Sequence, residues 1–219
     1  MLTLSSRARR VTMGRMADHG IPLREQDLAE DPLEQFASWA QEARAAGVRE
    51  PEAAAVATAS ADGAPAVRMV LVKSFDQRGF VFYSNYSSRK GQELAANPQA
   101  ALLFHWDPLG RQVRIEGPVQ HTGAQESEAY IRSRPRDSQL SALASPQSQT
   151  VADRAELERR VSDLEARYAG QELPLPSGWG GFRLAPHTLE FWQQRHGRLH
   201  DRLRYRRGGE RWLVERLAP

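Results

Sequence analysis

Residues 67–75 read VRMVLVKSF and residues 80–85 read FVFYSN, with the turn-forming residues 76–79 (DQRG) between them. β-Branched and aromatic runs bounded by turn residues are typical of β-strands. Further strands are predicted on either side of this pair, over residues 53–60, 100–106, 111–120, 182–193 and 199–217, the last broken by a turn at 208–209. Short strands that follow one another through turns favour an antiparallel sheet or barrel over alternating β-α-β units.

Helices are predicted between and beside these strands. The first begins at Asp31, a good N-cap residue followed by Pro32, and ends at Gly47. Ser87 and Ser88 precede a short helix that extends to Ala96, and two further helices are predicted over residues 126–132 and 151–169. The Arg-, Ser-, Gln- and Pro-rich segment 132–149 is predicted to be a loop.

Length and composition indicate one globular domain. The chain has 219 residues, 40% of them hydrophobic and 26% charged, and has no apolar run near the ~20 residues of a membrane span. The absence of cysteine excludes disulfides, thiolate catalysis and iron–sulfur clusters, and the six histidines lack metal-binding spacing. We expect a mobile N-terminal arm over residues 1–26, a single domain over residues 27–219 and a cytoplasmic location.

The cations of this chain are almost all arginine. The sequence holds 28 Arg and two Lys, Lys73 and Lys90. A compact ammonium and a planar guanidinium are not interchangeable, so the two lysines direct attention to their surroundings. Lys73 lies in an apolar strand, where it either marks the strand end or meets an anion. Arg68 lies five residues earlier, so strict alternation sends it to the opposite face unless the strand carries a bulge.

Three further segments are candidate anion sites. Ser88–Lys90 precedes a helix, where free backbone N–H groups and two cations form either a phosphate cradle or an ordinary cap. Tyr130 and Arg134 are four residues apart at a basic segment, which is either a second phosphate clamp or a charged surface loop. Alternation places five basic residues on one strand face, where they form an anion site, a nucleic-acid stripe or a row paired with carboxylates: Arg198, His200, Arg202, Arg204 and Arg206.

The candidates include no nucleophile and no metal constellation. Two or more anion-binding clusters on a β scaffold therefore suggest that a cofactor performs the chemistry on a phosphorylated substrate.

Several stretches, taken together, resemble the pyridoxamine (pyridoxine) 5′-phosphate oxidase family. The longest is LEFWQQRHGRLHDR over residues 189–202. The others, in family order, are RMVLVK (68–73), FYSN (82–85), SRK (88–90), SRPRDSQ (133–139), PQSQ (146–149), PLPSGWGGFR (174–183) and RLAP (216–219). The resemblance covers about residues 27–219. It implies a mainly β fold with flanking helices, an FMN-binding split β-barrel, and a homodimer with FMN at the subunit interface.

The resemblance also implies the residues of the site. FMN would contact Arg68, Met69, Val70, Leu71, Val72, Lys73, Tyr83, Ser84, Arg89, Lys90, Gln112, Gln147, Ser148, Trp192 and Arg202. Substrate would contact Lys73, Tyr130, Arg134, Ser138, Arg198, Leu199 and His200. Arg198 and His200 would flank the pyridine ring as catalytic residues, and Glu50, which precedes the barrel, is a candidate general base. The family's Tyr-containing N-terminal segment has no counterpart here, since no Tyr precedes Tyr83.

The implied activity is oxidation of pyridoxamine or pyridoxine 5′-phosphate to pyridoxal 5′-phosphate, with O2 as acceptor and H2O2 as product. No metal, nucleic acid or membrane is expected as a partner. An alternative within the enzyme class is a split-barrel flavin or deazaflavin-dependent reductase. An alternative of another class is a non-catalytic anion- or RNA-binding barrel that uses the basic residues of 198–206.

Overall fold

The computed structural model describes residues 21–219 and is built on antiparallel strands. In chain order the strands of this range are β1 (Ala53–Ala59), β2 (Pro65–Asp76), β3 (Gly79–Asn85), β4 (Gln99–Trp106), β5 (Arg111–His121), β6 (Trp179–Leu184), β7 (Thr188–Gln193), β8 (Asp201–Gly208) and β9 (Arg211–Arg216). The helices are α1 (Pro32–Ala45), α2 (Arg89–Ala96), α3 (Ala124–Ser133), α4 (Arg136–Ala144) and α5 (Arg154–Arg167). Short 3-10 turns cover Glu25–Asp27, Asp107–Leu109 and His196–Arg198.

Six of the strands close into a barrel. Their order is β1-β2-β3-β6-β5-β4, and β4 pairs with β1 to complete the circle. One edge of β5 pairs with two different strands: residues 111–116 pair with β7, and residues 119–121 pair with β6. The strands β7, β8 and β9 therefore extend from the barrel wall as a three-stranded sheet. The predicted split β-barrel with flanking helices is confirmed.

Alternation along β5 separates the core from the outer surface. Val113 and Ile115 are fully buried inside the barrel, whereas Gln112 and Arg114 between them face outward and are partly exposed. Helix α1 covers one end of the barrel with Phe36, whose ring contacts several core aromatic rings edge-on. The outward-facing residues of β5 are held in register with β7 by the pairing of the two strands.

Helix α2 is held tightly against the end of β3. The Ser88 side chain caps it by accepting a hydrogen bond from the Gly91 N–H. A Cβ atom on Gly91 would lie 2.1 Å from the carbonyl oxygen of Tyr86, so only glycine permits this approach. The close contact places Lys90, one residue earlier, inside the structure.

Three expectations from the sequence are wrong. The predicted loop 132–149 contains α4. Leu140 and Ala144 of this helix are buried, but the surrounding sequence is polar and does not indicate a helix. The predicted strand 182–193 is two strands, β6 and β7, which are separated by residues 185–187, although the N–H groups of Ala185 and His187 still donate to β5. The predicted strand 199–217 begins only at Asp201, and Arg198 lies in a 3-10 turn.

The N-terminal part of the described chain contacts the barrel extension. Residues 1–20 of the expected arm lie outside the described residues, as does most of the segment that departs from the family pattern. Leu23 is buried, and its N–H donates to the Asp201 carboxylate at 3.1 Å. Among residues 21–219, no helix has both the length and the apolar character required to cross a bilayer.

Candidate active site

A cavity of about 590 Å³ opens beside β2 and β3 and is bounded by α3, α4 and the segment after α4. It brings together twelve of the residues expected to bind cofactor or substrate: Arg68, Met69, Val70, Leu71, Lys73, Tyr83, Ser84, Lys90, Tyr130, Arg134, Gln147 and Ser148. Four of these are cations. The two groups that were separate in the sequence, one near Lys90 and one near Arg134, therefore line one cavity.

Lys90 places a buried ammonium at the wall of this cavity. Only 7% of the residue is exposed, and its Nζ donates to Ser84 Oγ at 2.8 Å, Gln147 Oε1 at 3.1 Å and Ser88 Oγ at 3.3 Å. All three partners are neutral oxygens. Burial lowers the pKa of Lys90, and the nearby Arg68 lowers it further. A buried cation without an ion-pair partner is costly, and an anionic ligand in the cavity would offset that cost.

The buried carboxylate of Glu93 holds Arg68 in place. Arg68 Nη2 lies 3.0 Å from Glu93 Oε2, and its Nη1 donates to Thr58 Oγ1. Burial raises the pKa of Glu93, but hydrogen bonds from Thr58, Arg89 and Arg68 outweigh it and lower the pKa to about 2. Glu93 is therefore charged at every ordinary pH.

A β-bulge lets Arg68 and Lys73 line the same cavity. Strand β2 pairs Val72 with Phe82 but Ser74 with Val81, so Lys73 is the extra residue. Strict alternation would separate the two side chains unless the strand carries a bulge, and the bulge is observed. In residues 21–219, no hydrogen bond or ion pair to another side chain restrains the Lys73 ammonium.

Three aromatic rings form the opposite wall. Tyr83 and Tyr130 stack with centroids 3.8 Å apart, and Trp179 lies nearly parallel to both. The guanidinium of Arg134 lies over the Trp179 ring, 5.6 Å from its centroid. Burial raises the pKa of Tyr83 to about 12, so its hydroxyl stays neutral. This wall orients Arg134 and Tyr130 towards the cavity.

Sequence reasoning missed five residues that line the cavity: Asn85, Ser141, Ala142, Ser145 and Trp179. Three of them lie on or just after α4, in the segment expected to be a loop. The sequence signal for Trp179 is its place between Gly178 and Gly180; in the sheet it pairs with Asn85, two residues along β3 from Tyr83.

Other expected residues form a second group on the barrel extension and the adjoining part of β5. Gln112, Trp192 and Arg202 are cross-strand neighbours on β5, β7 and β8. The ring of His200 lies 4.5 Å from that of Trp192. Arg198 adopts a left-handed backbone with φ of 63°. Within residues 21–219, the cavity lining includes no member of this second group.

The remaining expected residues lie elsewhere. Val72 is buried in the barrel core, Ser138 is half-buried on α4, and Glu50 is exposed just before β1. Arg89 pairs with Glu93 at 2.8 Å and lines a small adjoining cavity together with Arg68, Lys90 and Ser148. Leu199 is 74% exposed beside Arg198. One chain therefore does not gather every expected site residue around a single cavity.

The basic residues near the C-terminus are largely paired with carboxylates. Arg202 donates to Glu190 at 2.7 Å, and both Arg204 and Arg206 donate to Glu215. The expectation of a single strand face from Arg198 to Arg206 is wrong, because Arg198 precedes β8. Of the three explanations for this row, the carboxylate partner across the sheet is the one observed.

The barrel, its cationic cavity and the three-stranded C-terminal sheet place this protein in the split β-barrel class. A family model described as pyridoxamine 5′-phosphate oxidase matches residues 40–168. A second, described as the pyridoxine 5′-phosphate oxidase C-terminal dimerisation region, matches residues 179–219. The chain belongs to the pyridoxamine 5′-phosphate oxidase family.

Curated relatives agree with this assignment. The chain is 53% identical over 189 residues to a pyridoxine/pyridoxamine 5′-phosphate oxidase of Rubrobacter xylanophilus, a match that covers 86% of this chain and 87% of the relative. It is 54% identical over 200 residues to the protein of the same description from Bordetella petrii, covering 90% and 93%.

Two solved structures share the fold. PhzG from Burkholderia lata 383, in complex with tetrahydrophenazine-1-carboxylic acid, is 35% identical with a TM-score of 0.86, covering 91% of this chain and 98% of that one. A pyridoxamine 5′-phosphate oxidase-related, FMN binding protein from Nostoc punctiforme PCC 73102 is 16% identical with a TM-score of 0.66, covering 88% and 100%. The second likeness concerns the fold alone.

Proposed function

We propose that this chain is an FMN-dependent oxidase that converts pyridoxine or pyridoxamine 5′-phosphate to pyridoxal 5′-phosphate. With the alcohol, substrate and O2 give the aldehyde and H2O2. With the amine, one water is also consumed and ammonia is released. The family assignment and the curated relatives support the reaction, and the cavity supports the cofactor.

The observation that carries the proposal is the buried ammonium of Lys90. It has three neutral oxygen partners, lines a cavity of about 590 Å³, and lies at the N-terminus of α2 with Arg68 beside it. Two cations and free helix N–H groups suit a phosphate monoester. The residues present therefore fit the phosphate of FMN, held by Lys90, Arg68, Arg89 and Ser148.

The substrate phosphate is assigned to the other cations of the cavity. Lys73 has an unrestrained ammonium, and Arg134 is oriented by the aromatic wall. Tyr130, neutral because burial raises its pKa, can donate its hydroxyl proton. These three groups can hold a phosphate dianion at a fixed distance from the Lys90 end.

Bound FMN would supply the redox chemistry, by taking a hydride equivalent from C4′ of the substrate and passing the electrons to O2. The protein's part is to bind and orient. Arg68 and Lys90 would hold the cofactor through its phosphate, and the substrate phosphate clamp would hold the substrate ring in one pose. Arg198 and His200 would contact that ring from the second group.

The second group is assigned to a partner subunit. Trp192 and Arg202 lie on the barrel extension, in the region that matches the dimerisation model, and Gln112 lies beside them on β5. The outer face of the barrel also exposes Val67 and Met69, at 69% and 65%, next to the cavity. An isologous homodimer would cover this apolar face and add the second group of one chain to the cavity of the other.

The test is the colour and mass of the purified protein. We expect a yellow protein whose flavin absorbance is released by denaturation and identified as FMN, with a scattering mass twice the 24.6 kDa of the chain. It should consume O2 with pyridoxine 5′-phosphate but not with dephosphorylated pyridoxine. A colourless protein that binds no added FMN would overturn the proposal, as would equal rates with the two substrates.

A further inference from the structure

The turn that carries Arg198 and His200 has an unfavourable backbone. Gly197 and Arg198 are consecutive left-handed residues, with φ of 66° and 63°. A non-glycine residue rarely adopts this region, so neighbouring contacts must hold the turn. One such contact lies inside the turn, where the Arg195 N–H donates to His200 Nδ1 at 3.1 Å.

A second set of contacts holds the turn from outside. Asp201, directly after His200, accepts from Leu23 N–H at 3.1 Å through Oδ2 and from Arg216 Nη1 at 2.7 Å through Oδ1. Arg195 Nε also lies 3.5 Å from Asp201 Oδ2. The carboxylate thus joins both ends of the turn to two other parts of the chain.

Arg216 extends this contact to the N-terminal segment. Its Nε and Nη2 donate to the two carboxylate oxygens of Glu25 at 2.7 and 3.0 Å, and its Nη2 also donates to the Leu23 carbonyl at 3.0 Å. A fork of this kind fixes geometry as well as adding energy. We call Leu23, Glu25, Asp201 and Arg216 the Asp201 clasp.

We propose that the Asp201 clasp is a positioning device for the substrate side of the active site. It fixes the start of β8 and so holds Arg198 and His200 in the left-handed turn, with Asp201 and Arg216 as positioning residues. None of the four clasp residues lines the cavity near Lys90. The clasp should therefore act on substrate binding and leave FMN binding unchanged. This inference rests on the proposed function, in which Arg198 and His200 contact substrate.

The sheet offers a matched control. Glu215 on β9 also accepts from guanidinium groups of β8, those of Arg204 and Arg206, with shortest distances of 2.5 and 3.0 Å. Its contacts lie further along the strand and do not reach the turn. Glu215→Gln removes a carboxylate from the same pair of strands without touching the clasp.

The experiment uses the FMN-loaded full chain and compares Asp201→Asn, Arg216→Gln, the double variant and Glu215→Gln. Amide hydrogen exchange over residues 195–200 is one readout, and it does not depend on activity. We expect faster exchange in both single variants and unchanged exchange in Glu215→Gln. We also expect KM for pyridoxine 5′-phosphate to rise about five- to tenfold in Asp201→Asn, with kcat and the FMN dissociation constant within about twofold of the parent.

Coupling within the clasp gives a second criterion. If Asp201 and Arg216 act as one unit, the double variant should be no worse than the more affected single variant. Additive effects would overturn the clasp as a unit. Exchange and KM unchanged in Asp201→Asn, or altered equally in Glu215→Gln, would also overturn the inference, even if the thermal midpoint falls.

Arg198→Ala separates this inference from the proposed function. If Arg198→Ala raises KM and Asp201→Asn does not, only the positioning role of Asp201 is overturned. If Arg198→Ala leaves KM unchanged, the substrate contact fails, and both the proposed role of the turn and the inference built on it fall. Faster exchange in Asp201→Asn would then still show that the contact restrains the turn, without a functional consequence.

Discussion

Glu93 and Arg68 form an ion pair, with 3.0 Å between Oε2 and Nη2, in which the carboxylate is almost fully buried and the guanidinium lines the cavity. Glu93 lies on the buried side of this contact, and Arg68 lies on the side of the cavity. Thr58 and Arg89 complete the hydrogen bonds of the carboxylate. Because Glu93 has no access to the cavity itself, its effect on ligand binding must pass through the guanidinium groups that it holds.

The first prediction concerns the pH dependence of folding. The pKa of Glu93 is lowered to about 2 in the folded protein, so its stabilisation is present above the ordinary pKa of 4.5 and is lost as the pH falls towards 2. Glu93→Gln should lower the free energy of unfolding at pH 7 by on the order of 3 kcal/mol, and the difference should shrink below about pH 4.5. Denaturant titrations of the FMN-free protein at several pH values measure it.

The exposed pair of Glu158 with Arg154 is the control for that measurement. Glu158→Gln should change stability by less than about 1 kcal/mol at any pH, since exposed pairs contribute little. Equal losses in the two variants would mean that burial of Glu93 has no energetic effect.

The second prediction concerns cofactor retention. Lys90→Ala removes the buried ammonium, so the protein should lose FMN on dialysis and regain activity when excess FMN is added, because mass action offsets a weakened site. Arg198→Ala should stay yellow but lose at least about tenfold in kcat/KM, because the substrate is no longer oriented. A colourless Arg198→Ala with a fully yellow, fully active Lys90→Ala would reverse the two assignments.

The third prediction follows from the lowered pKa of Lys90. Burial favours the neutral amine, so the charge that binds phosphate is lost at a lower pH than for an exposed lysine. The dissociation constant of FMN should therefore rise with pH before ordinary lysines titrate. Lys90→Arg, which keeps its charge, should remove that rise if it still binds FMN. Fluorescence titration of FMN between neutral and alkaline pH decides this.

The fourth prediction concerns Lys73. Lys73→Met should raise KM for the phosphorylated substrate, because it removes a charge-assisted contact to the phosphate that contributes about 1.5–3 kcal/mol of binding free energy. Bound FMN should change less. Steady-state kinetics and flavin content of the same preparation measure both, and unchanged kinetics would mean that the bulge does not serve the substrate phosphate.

The fifth prediction tests whether two chains share each site. Lys73→Met affects the cavity, and Arg198→Ala affects the second group. In a mixed dimer of the two co-expressed chains, one site combines both substitutions and the other site is intact. With random pairing, activity should recover to about a quarter of the parent value. Activity no higher than the mean of the two variants would mean that one chain supplies both groups.

The barrel was largely predictable from the sequence because strand alternation and turns are local signals. The cap at Asp31 and the helix after Ser88 are likewise predicted by patterns of neighbouring residues. Helix α4 was missed since its burial depends on packing against α5 rather than on its own pattern. Trp179 was missed for a similar reason: only the pairing of β3 with β6 brings it beside Tyr83.

The site was predictable only in part for a related reason. The resemblance supplied residue identities, but spatial grouping depends on register. The bulge at Lys73 places it with Arg68, whereas the pairing of β5 with β7 separates Gln112 from the cavity of its own chain. Residue types alone predict neither a one-residue shift in strand register nor the separation of the site residues into two groups.

The Asp201 clasp also has a consequence for the order of events during synthesis. Glu25 and Arg216 lie 191 positions apart, and Leu23 and Asp201 lie 178 apart. On the ribosome, the N-terminal residues emerge first and wait until nearly the whole chain has been made before these contacts form. Contacts of such long sequence separation close late, since the barrel must first bring the ends together. A nascent chain released before Arg216 would hold a complete barrel sequence, but its N-terminal segment would lack the guanidinium that binds Glu25 and the Leu23 carbonyl.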